Sequence, residues 1–178
     1  MDWNAISTGS PPKRARADAW RALAAVCLFI AGNAFAADPK LLPPEQAFRF
    51  SARAIDDKTL EAHFEVTDGY YLYRDKLKFA LDPAMTDLVP ASLPAGKMKD
   101  DQFFGKVETY RGDIVVRLPL PAPSPGKSVV LVADSQGCAD VGVCYPVNRQ
   151  KVTLAVPAPG KGPGAMVDAV PRKKSWFN

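Results

Sequence analysis

The chain has 178 residues, 47% of them hydrophobic, with 23 basic and 19 acidic side chains and a formal net charge of +4. That is one domain's worth of sequence, large enough to bury a core without a disulfide. The charge does not mark a nucleic-acid surface: residues 37–156 carry 15 basic and 16 acidic groups, and the basic ones form no cluster interleaved with aromatics.

The amino terminus reads as a targeting segment. Lys13, Arg14, Arg16 and Arg21 precede an apolar run from Ala22 to Ala31, and Ala34-Phe35-Ala36 offers an A-x-A cleavage site. These are the parts of a secretory signal peptide over residues 1–36, with Ala37 as the first mature residue. The run falls short of the roughly 20 apolar residues that span a bilayer. Cys27 lies inside it and leaves with it. Of three cysteines two remain, and two in an oxidising compartment read as one disulfide.

After a Pro-containing lead-in to Pro44, the body to Val156 alternates with period two. Phe48, Phe50 and Ala52 alternate with Arg49, Ser51 and Arg53. Leu60, Ala62, Phe64 and Val66 alternate with Glu61, His63, Glu65 and Thr67. Leu77, Phe79 and Leu81 alternate with Lys76, Lys78, Ala80 and Asp82. Further strands are expected at 70–73, 114–118, 128–133 and 151–156. Turns are expected at Asp56-Asp57, Asp68-Gly69, Asp82-Pro83, Gly112-Asp113 and Pro123-Ser124-Pro125-Gly126. No stretch of the body has a sustained helical period. Seven or more short strands in about 120 residues predict an all-β antiparallel sandwich. The body contains no Trp, so the Cys-Trp-Cys core of antibody domains is absent and any immunoglobulin likeness is architectural. Residues 157–178 form a Pro/Gly-rich tail ending in Arg172-Lys173-Lys174-Ser175-Trp176, expected to be a solvated, disordered end.

Chemistry is concentrated in Gly137-Cys138-Ala139-Asp140-Val141-Gly142-Val143-Cys144-Tyr145-Pro146. Five residues between the cysteines suit two neighbouring strands joined by a tight turn, with the sulfurs facing each other. Two Cys and one His do not make up the four ligands of a zinc site, and the spacing is not that of a C-x-x-C redox helix. Exported domains commonly carry structural bridges. Closing so short a loop stabilises by only ~2 kcal/mol, however, and a domain of this size does not depend on it. A glycine-flanked surface hairpin is also a place where a partner thiol reaches a sulfur, provided a thiolate forms there. Spacing leaves both readings open, a structural staple and a reactive pair.

The cysteine segment resembles the active-site segment of the amino-terminal periplasmic domain of DsbD, the thiol:disulfide interchange protein. Asp68-Gly69-Tyr70-Tyr71-Leu72-Tyr73-Arg74 is similar to that family's aromatic strand beside the cysteines. Asp101-Gln102-Phe103-Phe104-Gly105-Lys106-x-Glu108-x-Tyr110-Arg111 resembles its cap loop and following strand. The resemblance spans about residues 42–156, with the three motifs in the family's order. It implies an immunoglobulin-like sandwich, residues 37–156, with the cysteine pair on a hairpin at one end. It implies a periplasmic thiol–disulfide oxidoreductase, specifically a protein-disulfide reductase. Such a protein takes electrons from a membrane-embedded thiol reductase and passes them to thioredoxin-like periplasmic proteins, among them disulfide isomerases and the cytochrome c maturation thioredoxin.

By position, the resemblance gives Cys144 the mixed disulfide and Cys138 its resolution, with no metal or organic cofactor. Phe103 and Phe104 become aromatics covering the sulfurs, Gly105 the end of the cap loop, and Tyr71 and Tyr73 its surroundings. The family commonly has a carboxylate where this chain has Gln102 and a Tyr where it has Phe104. Asp101 remains as the group that moves a proton or modulates the thiols. Family members continue into a multi-span membrane domain and a thioredoxin-like domain, which implies here a freestanding version or a piece of a longer protein. Two rival readings are a non-catalytic binding module with a structural disulfide and a subunit that binds a redox partner without passing electrons.

Overall fold

The computed structural model describes residues 40–82, 86–88, 93–122 and 125–172. The signal peptide expected over 1–36 and the chain beyond Arg172 lie outside them. A four-residue helical turn, α1 (Pro44–Ala47), leads into twelve strands among the described residues. These are β1 (Phe48–Ala54), β2 (Thr59–Val66), β3 (Tyr70–Tyr73), β4 (Lys78–Asp82), β5 (Thr86–Leu88), β6 (Lys97–Asp101), β7 (Gly105–Tyr110), β8 (Gly112–Pro119), β9 (Ser128–Ser135), β10 (Gly137–Ala139), β11 (Asn148–Ala155) and β12 (Val167–Asp168). All pair antiparallel, in three sheets of order β12-β1-β2-β8, β11-β9-β4-β5 and β10-β3-β7-β6.

The first two sheets are the layers of the expected sandwich. The period-two pattern works because each inner face is buried. In β8, Ile114, Val116 and Leu118 point inward while their neighbours are exposed. The same holds for Val152 and Leu154 in β11. Phe50, Phe64 and Leu60 meet Phe79, Leu131 and Leu154 in one core, and the Phe64 and Phe79 rings, 6.4 Å apart, join the two layers. Each such side chain contributes roughly 1.5–3 kcal/mol by leaving water.

The third sheet carries the site. Past the Asp68-Gly69 turn, β3 is buried on both faces: Tyr70 and Leu72 enter the main core, while Tyr71 and Tyr73 form a separate cluster with Cys138. β10 pairs with β3 so that Cys138 lies opposite Tyr71, on the same face.

Three sequence expectations are revised. Residues 97–101, given no strand, form β6, because pairing with β7, the strand expected after the cap loop, supplies what the local sequence lacks. The turn expected at Gly112-Asp113 falls one residue earlier, at Arg111, and Gly112 opens β8. The tail expected to be disordered is ordered as far as Arg172. β12 pairs with β1 at Ser51↔Asp168 and Ala52↔Val167. The amides of Gly164 and Ala169 donate to Ala54 and Phe50, and Arg172 meets Glu65 and Asp168. The unpaired edge of β1 is what orders it.

Candidate redox site

Local geometry of the hairpin sets the site. Cys138 and Cys144 form a disulfide across an isolated bridge, with Cα atoms 3.9 Å apart. Gly137 sits where β10 passes closest to its neighbours: a Cβ there would collide with the Tyr71 carbonyl and lie 2.7 Å from the Phe48 ring. Gly142 turns the hairpin at φ 87°, in the region that favours glycine. The two sulfurs are unequal. Cys138 is fully buried, whereas Cys144 is half-buried and follows the exposed Val141 and Val143.

Tyr73 joins the sulfurs to a carboxylate. Its hydroxyl oxygen lies 3.1 Å from Cys138 Sγ and 3.8 Å from Cys144 Sγ, and donates to Asp101 Oδ2 at 2.9 Å. Tyr71 donates to the same oxygen at 2.7 Å. The other oxygen, Oδ1, accepts the amides of Phe103 and Phe104 at 2.9 and 3.1 Å. Asp101 is only 6% exposed, and these four bonds satisfy its buried charge. Burial opposes ionisation, but the bonds outweigh it and hold the carboxyl below its ordinary value. Burial, and then the Asp101 bond, pushes the Tyr71 phenol up to about 12 and raises Tyr73 as well. A thiol on Cys138 would therefore face a neutral phenol whose own proton is already directed at a carboxylate. The carboxylate's charge disfavours a resting thiolate on Cys138, while the phenol bridges the two and offers a proton leaving the sulfur a route toward Asp101 during exchange.

Asp101 also shapes the loop. By binding two successive amides at the end of β6 it folds Gln102–Phe104 into a turn, closed by Gly105 at φ 69°. Phe104 packs edge-on against Tyr73, with centroids 5.2 Å apart, and Lys76 Nζ lies 5.1 Å from its ring centre. The Gln102 amide reaches the Gly142 carbonyl at 3.4 Å, tying the loop to the hairpin. Phe103 is held through its backbone; its side chain is 57% exposed, against 50% for Phe104.

The structure thus gathers Cys138, Cys144, Tyr71, Tyr73, Asp101 and Phe104, links Gln102 across, and leaves the Phe103 ring outermost. Sequence reasoning passed over Arg111 and Asp140. Their side chains form a two-pronged ion pair at 2.6 and 2.9 Å, and the guanidinium also lies 5.3 Å from the Tyr71 ring centre. They stand 29 residues apart, and only their opposite charge within two quoted motifs hinted at the contact. Lys99, whose Nζ lies 4.9 Å from the Tyr71 ring centre, likewise had no local signal.

Comparison with known proteins agrees with this geometry. The family model described as "Thiol:disulfide interchange protein DsbD, N-terminal" matches residues 38–156. A DsbD of Ralstonia nicotianae is 48% identical over 127 residues, covering 68% of this chain and 21% of that protein. A DsbD of Neisseria meningitidis is 42% identical over 126 residues, covering 70% and 20%. The chain thus spans about a fifth of the length of the curated relatives it matches. Among solved structures, the reduced DsbD amino-terminal domain of N. meningitidis superposes with a TM-score of 0.60 at 33% identity, covering 72% of this chain and 94% of that one. The same organism's domain in complex with the PilB amino-terminal domain gives 0.52 at 35% identity, covering 64% and 87%. The fold is the immunoglobulin-like sandwich of those domains. With the family model matching across the cysteine hairpin, the aromatic strand and the Asp101 loop, the chain belongs to the DsbD amino-terminal domain family.

Proposed function

We propose that this chain is a periplasmic protein-disulfide reductase module that relays electrons through Cys138 and Cys144. It takes them from a membrane-embedded thiol reductase and gives them to thioredoxin-like proteins. The observation that carries the reading is the inequality of the two sulfurs around Tyr73: one buried against a proton-accepting chain, one half-exposed beside a loop. The relatives' names as thiol:disulfide interchange proteins support the chemistry, and the relative in complex with PilB supports a protein partner.

In the reduced chain, the Cys144 thiolate attacks one sulfur of the partner's disulfide. The partner's other sulfur leaves as a thiolate and takes up a proton, and a mixed disulfide remains. Cys138 then loses its proton toward Tyr73 and Asp101 and attacks Cys144 Sγ. The bond to the partner breaks, the partner's second sulfur leaves and is protonated, and the Cys138–Cys144 bond forms. Two electrons have passed to the partner, whose two thiolates take their protons from solvent. The proton Cys138 gave toward Tyr73 and Asp101, and the one Cys144 lost on forming its thiolate, return to solvent, and no metal or organic cofactor is needed. The Phe103–Phe104 loop acts as a cap between encounters, which keeps unrelated oxidants from the dithiol.

Trapping tests this reading. A Cys138→Ala chain keeps Cys144 free without its resolving partner. Incubated with an oxidised thioredoxin-like protein, it should accumulate a mixed disulfide that reductant releases. Absence of the adduct, with Cys144 free by thiol titration, would leave a stapled binding module.

A further inference from the structure

We propose that Arg111 is a positioning residue which, through Asp140, makes Cys144 and not Cys138 the sulfur presented to a partner. The proposal rests on the exchange reading above. The two arms of the hairpin are held differently. The Cys138 arm is fixed from outside: Gly137, Cys138 and Ala139 pair with Leu72, Tyr71 and Tyr70, and the Asp140 amide donates to Gly69 at 2.8 Å. The following segment, Val141–Cys144, is tied mainly to the hairpin itself. Gly142 donates to Ala139 at 3.0 Å, and Ala139 to Val143 at 2.8 Å. Its bond to the cap loop is the long one, Gln102 to Gly142 at 3.4 Å. At Tyr145 the chain is anchored again, through a hydroxyl bond to Leu42 at 2.7 Å.

Arg111 acts where the β10–β3 ladder stops. Its guanidinium binds both oxygens of Asp140 and donates to the Tyr70 carbonyl at 3.1 Å. One planar cation therefore joins the end of β10 to β3 at the β7–β8 corner, and the fork geometry fixes direction as well as distance. When the disulfide opens, the anchored arm keeps Cys138 buried, and the freedom gained falls to Val141–Cys144. Loosening the clamp releases the end of β10, lets Cys138 leave the Tyr71–Tyr73 cluster, and erases the difference between the thiols.

The test reads which thiol reacts. The full chain is reduced and given a limiting pulse of iodoacetamide, and labelling of Cys144 and Cys138 is quantified peptide by peptide, with Cys27 read separately. The native chain should label at Cys144 first. In Arg111→Met, which keeps an apolar stem over Tyr71, the Cys144-to-Cys138 ratio should fall by about fivefold, the upper end for an ion pair of this exposure. Asp140→Asn, which preserves shape, should lower it in the same direction. Exchanging the two charges, R111D with D140R, should raise the ratio again, which a merely structural loss would not allow. An unchanged ratio in both single variants, with the pair still opening normally, overturns the clamp and leaves the exchange reading standing. If the native pair cannot be opened and neither thiol labels, the exchange reading falls and the clamp falls with it.

Discussion

The hydroxyl of Tyr73 lies nearer to Cys138 Sγ, at 3.1 Å, than to Cys144 Sγ, at 3.8 Å, although Cys144 is the more exposed sulfur. In the proposed exchange, a proton path through Tyr73 would serve the buried cysteine, whose deprotonation is needed only in the second, resolving step. Tyr73→Phe keeps the ring against Phe104 and removes the path. Resolution of a preformed mixed disulfide should slow by about 100-fold, the low end for a lost proton-transfer partner. Formation of the adduct by Cys144 should change much less. Stopped-flow measurement of partner release separates the two steps.

Asp101 links acid stability to the site. Asp101, Asp134 and Asp140 are all held below the ordinary 3.8, the latter two chiefly by hydrogen bonds from Arg149 and Arg111. A carboxylate depressed in the folded state contributes stability that is fully present above the unfolded value and is lost as pH falls through the folded one. Melting temperature should thus hold down to about pH 5 and fall below about pH 4. Asp101→Asn should lose about 1–3 kcal/mol at neutral pH, the range for a disturbed buried hydrogen-bonded group. Its decline in acid should be shallower, because one of the titrating groups is gone. Melting curves across that range check both parts.

Gly137→Ala tests the close approach of β10 to β3. The added methyl meets the Tyr71 carbonyl and the Phe48 ring, neither of which is a flexible tip. A cost of about 3 kcal/mol is expected, the upper end for overpacking. Because the displacement falls beside Cys138, the rate of exchange should fall along with chemical stability in urea.

Ending the chain at Val156 should uncover the edge of β1. The lost contacts are the β12 pairing, the Gly164 and Ala169 amide bonds and the Arg172 ion pairs. Together they are worth about 1–3 kcal/mol, allowing for the weakness of exposed ion pairs. Calorimetry should show a lower melting temperature. Light scattering should show greater self-association, since a bare edge offers itself to another strand.

How much of this was legible follows from burial. β1, β2, β8 and β11 announced themselves because one face is wet and the other dry, as Ile114, Val116 and Leu118 show. β3 gave no alternation, since Tyr71 and Tyr73 are buried in the site cluster while Tyr70 and Leu72 are buried in the core; its aromatic run after the Asp68-Gly69 turn marked it as a strand, but not which face bears the site. β6 was hidden because Lys97, Met98 and Asp100 are exposed, and the strand exists through its pairing with β7. β12 has two residues, too few for any pattern. At the site, the cysteines and Asp101 were readable from their motifs. The Tyr73 hydroxyl as the link between them depends on register across β10 and β3, and the Arg111–Asp140 pair on a contact 29 residues apart.

The central claim is that the Cys138–Cys144 bridge is made to open, and its reduction potential tests that most directly. Equilibrated with defined thiol buffers, an exchange pair should open at a potential above about −300 mV, within the range of known exchange proteins. Rapid reduction by a thioredoxin-like protein should accompany it. A bridge that stays closed below that potential would contradict the account and make Cys138–Cys144 a structural staple.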